Sequence, residues 1–425
     1  MNSLTNNYTE KIYITGEQKL TGGVNISGAK NAALPLMTLS LIINNDFNLN
    51  NVPDLADTRL MSKLLIDLGI EINWKKGNLS FNGKPKKDEA SYDLVRQMRA
   101  SILVLGPLLA SKGFAKVPLP GGCAIGSRPI DLHVMVMEAL GANVTFDSGF
   151  IIGSLNNEGL KGGVINFPKV SVGATESAIM TAVLAKGQTK IFNAAREPEI
   201  TDLANCLNKA GADIKGIGTD SLIINGVKEL NKISHTVVSD RIEAASFAIA
   251  SSITMGNVEI NNINPKNLTE FTNVLKFTGS KVEIFENSMK VSCSQKPKTH
   301  DVKTDPYPGF PTDLQAQYMA LMAIANGKTL IRETIFENRF MHVPELMRMG
   351  AKIFVNQQEA EIHGVKKLKG AKVMASDLRA SMCLILAALA ASGTSEIDGL
   401  YHLDRGYENL EDKLTNLGAI IKRSN

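Results

Sequence analysis

Cysteine is scarce in this chain: four in 425 residues, with Cys123, Cys206, Cys293 and Cys383 each more than eighty residues from the next. They form no CxxC pair and no Cys/His cluster, so neither a structural zinc site nor a disulfide framework is expected, which suits a reducing cytoplasm. Aromatic residues make up only 5% and the net charge is only +4. A nucleic-acid partner, which calls for stacking platforms or a strongly basic surface, is therefore not expected, and any anion binding must be local. Long apolar runs are missing as well. The longest, residues 100–110 and 382–391, are too short to span a bilayer and read as buried helices, so no membrane partner is expected. The start MNSLTNNYTEK has no basic stretch followed by an apolar one, so a signal peptide is not expected and the cytoplasm is the expected compartment. No GxGxxG or GxxxxGKS/T follows a strand, which removes support for dinucleotide and P-loop chemistry.

What is present is an ordinary globular composition, 44% hydrophobic and 21% charged, in a chain long enough for two domains of about 200 residues. It is also repetitive. A helix apolar on nearly all sides is followed by a strand, an amphipathic helix ending in glycine, and one or two further strands. The closing glycines are Gly69, Gly141, Gly211, Gly279, Gly350 and Gly418, with successive differences of 72, 70, 68, 71 and 68. Each stands where a left-handed helix C-cap is expected before a strand. Six units of roughly 70 residues follow. The first helices of the units, such as 178–185, 314–325 and 380–391, show little polar face and should be enclosed. The second helices, such as 58–68, carry charge on one side and should lie outside, followed by strands such as 78–83 and 221–226. Six units are many for one core, so the expected division is three and three: residues 30–238 in one domain, and 1–29 with 239–425 in a second, discontinuous one. The strand at 11–14 should pair with the last strand near Ile420 and Ile421, and a cleft between the halves is the expected binding place.

Polar residues collect where the inner helices begin: Ser27-Gly28-Ala29-Lys30-Asn31, Arg99-Ala100-Ser101, Ser171 to Glu176, Asp240-Arg241, Thr312-Asp313, and Ser376 to Arg379. Helix N-termini offer unpaired N–H groups and a positive dipole end, so such a collection favours anionic ligands, and Lys30, Arg99, Arg128, Arg379 and Arg405 add formal charge. The same residues serve equally well as plain N-caps, Asp240, Asp313 and Asp377 included, and the cations as solvated surface charges. His133 and His342 lie next to these segments without a partner at useful spacing and are assigned to structure or orientation.

The segment VPLPGGCAIGSRPIDLH, residues 117–133, sets Cys123 in a glycine- and proline-rich loop. Gly121, Gly122 and Gly126 free the backbone from the Cβ constraint, and Arg128 supplies a fixed charge able to hold an anion beside the sulfur or to lower its pKa. A thiol of this kind is either incidental or reactive.

A set of motifs decides how these features are read together: SGAKNAALP at 27–35, MRASILVLGPLLA at 98–110, PGGCAIGSRPIDLH at 120–133, KVSVGATE at 169–176, FPTDLQAQ at 310–317, FENRFMHVPEL at 336–346, ASDLRAS at 375–381 and HLDRGYE at 402–408. In this order, over residues 12–423, the chain closely resembles the UDP-N-acetylglucosamine 1-carboxyvinyltransferases, or UDP-GlcNAc enolpyruvyltransferases. The resemblance implies an α/β fold of two inside-out α/β barrels of three repeats each. It implies transfer of the enolpyruvyl group of phosphoenolpyruvate to the 3′-hydroxyl of UDP-N-acetylglucosamine with release of phosphate, through a tetrahedral ketal. This is the first committed step of peptidoglycan synthesis, and it takes no metal or organic cofactor.

By the same resemblance, Cys123 is the general acid that protonates C3 of phosphoenolpyruvate and Asp313 is the carboxylate that takes the 3′-hydroxyl proton. Lys30, Arg128 and Arg405 surround the phosphate and carboxylate of phosphoenolpyruvate, with Arg339 and Arg379 as further arginines of that wall and Asp377 close to the reacting centre. Asn31, Arg99, Arg128, Pro129, Ile130, Asp131, Leu132, Lys169, Val170, Ser171, Val172, Gly173 and Ile335 hold the UDP-sugar. The chemistry suits such a set. A diphosphate, a phosphate and a carboxylate repel one another in a dry cleft and need compensating cations, and a thiol that arrives with a lid excludes competing water.

Departures from the family pattern are few: Ser239 where proline is frequent, and Ala245 and Ala388 where glycine is common. They should alter packing more than chemistry. Because Cys123 is present where some relatives carry aspartate, alkylation by the epoxide antibiotic fosfomycin is expected. A transferase of the same fold acting on shikimate 3-phosphate would not explain PGGCAIGSRP. A paralogue without turnover would be expected to have lost Lys30, Cys123, Asp313 or Arg405, and all four are present.

Overall fold

The structure, a computed structural model, describes residues 10–43, 46–121 and 130–424. The described chain falls into two compact units, one of residues 28–121 and 130–238, the other of 10–27 and 239–424. Each unit has its own apolar core and three sheets.

One repeated plan builds both. In the repeat around residue 330, strand Val302–Lys303 runs parallel to Lys328–Arg332, with the inner helix Gln315–Ala323 as the crossover between them. A crossover of this length is what a parallel pair requires. The outer helix Val343–Arg348 follows, and then the antiparallel hairpin Lys352–Asn356 and Glu359–His363, whose second strand returns beside Lys328–Arg332. The glycines expected as C-caps all have positive φ: 104° at Gly69, 90° at Gly141, 100° at Gly211, 93° at Gly279, 95° at Gly350 and 97° at Gly418. This left-handed turn is open to glycine at little cost, and it swings the chain from the outer helix into the next strand.

The inner helices are enclosed because they have almost no polar face. Every residue of Leu378–Ala390 from Arg379 to Leu389 is buried, and so is every residue of Arg241–Ile253 from Ile242 onward. In the unit of residues 239–424, the three inner helices pack on one another. The strands alternate instead; Gln188–Phe192 buries its second and fourth residues. Two inner helices differ from their expected spans. The third begins at Val172, among the polar residues expected at its start and ahead of the apolar run at 178–185, because Ser171 caps it and the small polar residues Thr175 and Ser177 are buried within it; it ends at Ala182. The run at 100–110 splits into a 3-10 turn, Arg99–Val104, and the helix Leu105–Lys112, whose early Pro107 needs no N–H partner in a first turn.

The sixth sheet is completed by the N-terminus. Strand Lys11–Thr15 pairs antiparallel with Ile420–Ser424, setting Ile14 opposite Ile421 and Thr15 opposite Ile420, as expected. Two further pairings have no signal in the sequence. Thr21–Asn25, just before the first inner helix, runs parallel to Asn257–Asn261, while Ile233–Thr236, just before the fourth, runs parallel to Phe47–Asn50. Each leading strand thus joins the sheet of the unit its chain is about to leave. Among the described residues no helix is long and apolar enough to cross a membrane.

Candidate active site

In the unit of residues 28–238, Lys30 opens the inner helix Lys30–Thr38. Its approach is fixed from behind. Ala29 donates its N–H to the Val238 carbonyl at 2.7 Å, and Gly28 leaves no room for a Cβ, which would stand 1.8 Å from the Asn51 carbonyl oxygen. The Lys30 Nζ lies 3.4 Å from Asp57 Oδ2, both side chains being largely buried. Asn31 follows on the same helix turn, half-buried.

Three elements of this unit gather the next group. Arg99 opens its 3-10 turn, Asp131 and Leu132 begin the helix Asp131–Ala139 capped by Ile130, and Ser171, Val172 and Gly173 begin the third inner helix. The Ser171 hydroxyl accepts from the Ala174 N–H at 3.4 Å, while Lys169 and Val170 before it are exposed. At the meeting point stands His133, with Nδ1 2.8 Å from the Ser177 hydroxyl. Gly173 passes so close to its ring that a Cβ there would lie 3.4 Å from Cε1. Burial, followed by the charge of Arg99, pushes the imidazole down to about 4, so it is neutral at physiological pH. Nearby, burial pushes the Glu176 carboxyl well up, and Glu199 and Glu197 push it further.

In the unit of residues 10–27 and 239–424, the polar helix starts divide into caps and something else. The Asp240 side chain accepts from the N–H groups of Ile242 and Glu243, and that of Asp377 from Arg379 and Ala380. Both are N-caps. Asp313 is not. Its Oδ1 accepts from Arg339 Nη2 and its Oδ2 from Arg379 Nη2, each at 2.6 Å. The two arginines are each 6% exposed, and paired charge-assisted bonds of this length favour the ionised carboxylate and hold it in one orientation. The turn that carries Asp313, Thr312–Leu314, is itself tethered: the Thr312 hydroxyl donates to Glu333 Oε2 at 2.9 Å, and Oε1 of this buried Glu333 accepts from the Ile335 and Phe336 N–H groups at 2.8 and 3.1 Å. Glu333 thereby fixes Ile335 and the Asp313 turn together.

Arg405 ends the 3-10 turn Leu400–Arg405. Burial and then Arg405 push His402 down, against the pull of Asp377. His342, 2% exposed, is pushed down to about 4 by burial; Asp377 opposes this shift and Arg339 adds to it. Asp377 therefore lies within electrostatic reach of both His342 and His402, with Arg339 near the first and Arg405 near the second. Cys123, Arg128 and Pro129 lie outside the described residues. Asp57, His133 and Glu333 were not singled out as site residues from the sequence, because only their spatial partners distinguish them from other polar residues. Among the described residues, no group of three His, Cys, Asp or Glu side chains is arranged to hold a metal ion.

Several known proteins are similar to this chain over nearly its whole length. Residues 14–414 match the family model of EPSP synthase (3-phosphoshikimate 1-carboxyvinyltransferase). The UDP-N-acetylglucosamine 1-carboxyvinyltransferase of Acidiphilium cryptum is 52% identical, and that of Zymomonas mobilis 49%, each over 97% of this chain and 99% of the relative. Among solved structures, the enolpyruvyl transferase NikO from Streptomyces tendae superposes with a TM-score of 0.87 at 23% identity, covering 98% of this chain and 99% of that one. EPSP synthase from Acinetobacter baumannii superposes at 0.75 and 19% identity, covering 98% of this chain and 100% of that one. The two structures share the fold, and the relatives of about half identity narrow the membership: the chain belongs to the EPSP synthase family and, within it, to the UDP-N-acetylglucosamine 1-carboxyvinyltransferases.

Proposed function

We propose that this chain transfers the enolpyruvyl group of phosphoenolpyruvate to the 3′-hydroxyl of UDP-N-acetylglucosamine and releases phosphate, at the entry to peptidoglycan synthesis in the cytoplasm. The observation that carries this reading is the full-length identity of about half to transferases bearing that name, together with the presence of Lys30, Cys123, Asp313 and Arg405.

In the proposed course, the Cys123 thiol gives a proton to C3 of phosphoenolpyruvate while the 3′-hydroxyl oxygen adds to C2 and its proton passes to Asp313. The resulting ketal then expels phosphate from C2 and loses a proton from C3, leaving the enol ether. Lys30, Arg128, Arg339, Arg379 and Arg405 compensate the phosphate and carboxylate charges, and Asp377 stands close to the reacting carbon. Asn31, Arg99, Arg128 to Leu132, Lys169 to Gly173 and Ile335 hold the UDP-sugar. Both Asp313 oxygens accept from arginines, Arg339 and Arg379, which keep the carboxylate ionised and in one orientation. Cys123 is also the site at which fosfomycin would alkylate the protein.

Incubation with phosphoenolpyruvate and either acceptor, followed by mass spectrometry, tests the reading. The UDP-sugar should gain an enolpyruvyl ether and shikimate 3-phosphate should remain unchanged; the opposite pattern would overturn the assignment.

A further inference from the structure

Among the buried polar side chains of the inner helices in the unit of residues 239–424, two share one partner. Ser246 lies within Arg241–Ile253 and Gln317 within Gln315–Ala323, and both are fully buried. Desolvating them is costly unless each is bonded, and Tyr407, itself 4% exposed, meets both. The Gln317 Nε2 donates to the Asp313 backbone carbonyl at 2.9 Å and to the Tyr407 hydroxyl oxygen at 3.3 Å. The Tyr407 and Ser246 hydroxyls are 3.0 Å apart, and the Ser246 hydroxyl donates to the Ile242 carbonyl at 2.8 Å.

These partners fix the direction of every bond. With its proton committed to the Ile242 carbonyl, Ser246 must accept from Tyr407, and the Tyr407 oxygen accepts from Gln317. Turning the Gln317 amide over would set two acceptors against each other at Asp313. The relay thus runs from the Asp313 turn through Gln317 and Tyr407 to the first turn of Arg241–Ile253, the helix capped by Asp240. Tyr407 stands two residues beyond Arg405, and the charge of Arg379 acts on its phenol. One buried hydroxyl therefore ties the Asp313 turn to the segment of Arg405, beside the arginine that holds Asp313.

We infer that Gln317, Tyr407 and Ser246 are positioning residues that hold the Asp313 backbone and the Arg405 segment in the register the transfer requires. The inference rests on the proposed roles of Asp313 and Arg405. Such a relay acts through geometry at the reacting centre, where small displacements lower turnover more than binding.

Steady-state kinetics of Tyr407→Phe, Gln317→Met and the double variant test it. Each single change should lower kcat by roughly 10-fold, the weight of one buried hydrogen bond, with the KM for UDP-N-acetylglucosamine held within about 2-fold. The double variant should be no slower than the worse single one, because both cut the same relay. Unchanged kcat with a lowered melting temperature would overturn the inference, and so would losses that multiply in the double variant. Asp313→Asn separates the underlying reading. If that variant turns over like wild type, the base assignment fails by itself, and the relay is judged by whether kcat still falls in Tyr407→Phe.

Discussion

Asp313 and Arg379 are 66 residues apart in the sequence and 2.6 Å apart in the fold, with Arg339 bonded to the other oxygen of the same carboxylate. The three side chains come from different segments of one unit, and none of them caps a helix through its side chain. If Asp313 is the base, Asp313→Asn keeps the shape and removes the proton acceptor, so kcat should fall by roughly 10²- to 10⁴-fold with little change in the KM for the UDP-sugar. A loss confined to KM would move the base elsewhere.

The arginines are predicted to act as planar forks rather than as bare charges. Arg379→Lys should therefore behave more like Arg379→Gln than like wild type, raising the KM for phosphoenolpyruvate by roughly 10-fold or more. Full recovery in the lysine variant, read by initial rates against phosphoenolpyruvate, would reduce Arg379 to its charge alone.

Much of this arrangement was open to sequence reading, and its limits have physical causes. The six repeats were legible because each outer helix ends in a glycine that only a left-handed turn explains. Asp240, Asp313 and Asp377 look alike in sequence, each at the start of an apolar helix. Two are caps and one is clasped by arginines, a difference decided by residues far away in the chain. The pairings of Thr21–Asn25 and Ile233–Thr236 were illegible for the same reason, since parallel partners leave no local pattern. Gln317 and Tyr407 sit inside quoted motifs, yet nothing in the motifs says that their side chains meet.

Glu243 makes the fold sensitive to pH. Burial raises its carboxyl to about 7 despite Lys413 at 2.6 Å and the Ser27 N–H, with Asp240 adding to the rise. The folded chain therefore binds this proton more tightly than the unfolded chain does. The stability it contributes is complete below the ordinary value of 4.5 and is lost as pH rises toward 7. Thermal melts across that interval should show a shallower pH dependence in Glu243→Gln than in wild type; parallel curves would contradict the assignment.

Gly364 and Gly350 belong to the same repeat but should respond differently to alanine. A Cβ on Gly364 would stand 1.7 Å from the Ala325 carbonyl oxygen, whereas Gly350 has φ 95° and open space around it. Gly350→Ala carries only backbone strain, about 1 kcal/mol. Gly364→Ala must push main chain apart, at about 2 kcal/mol or more. Denaturant titration ranks the two, and equal losses would contradict the steric account.

Phosphate release from phosphoenolpyruvate, followed with and without UDP-N-acetylglucosamine in wild type and in Cys123→Ala, tests the central claim most directly. Release should require the UDP-sugar and collapse in Cys123→Ala. Release without the sugar, or at the wild-type rate in the variant, would contradict the transfer reaction in the first case and the proton donor in the second.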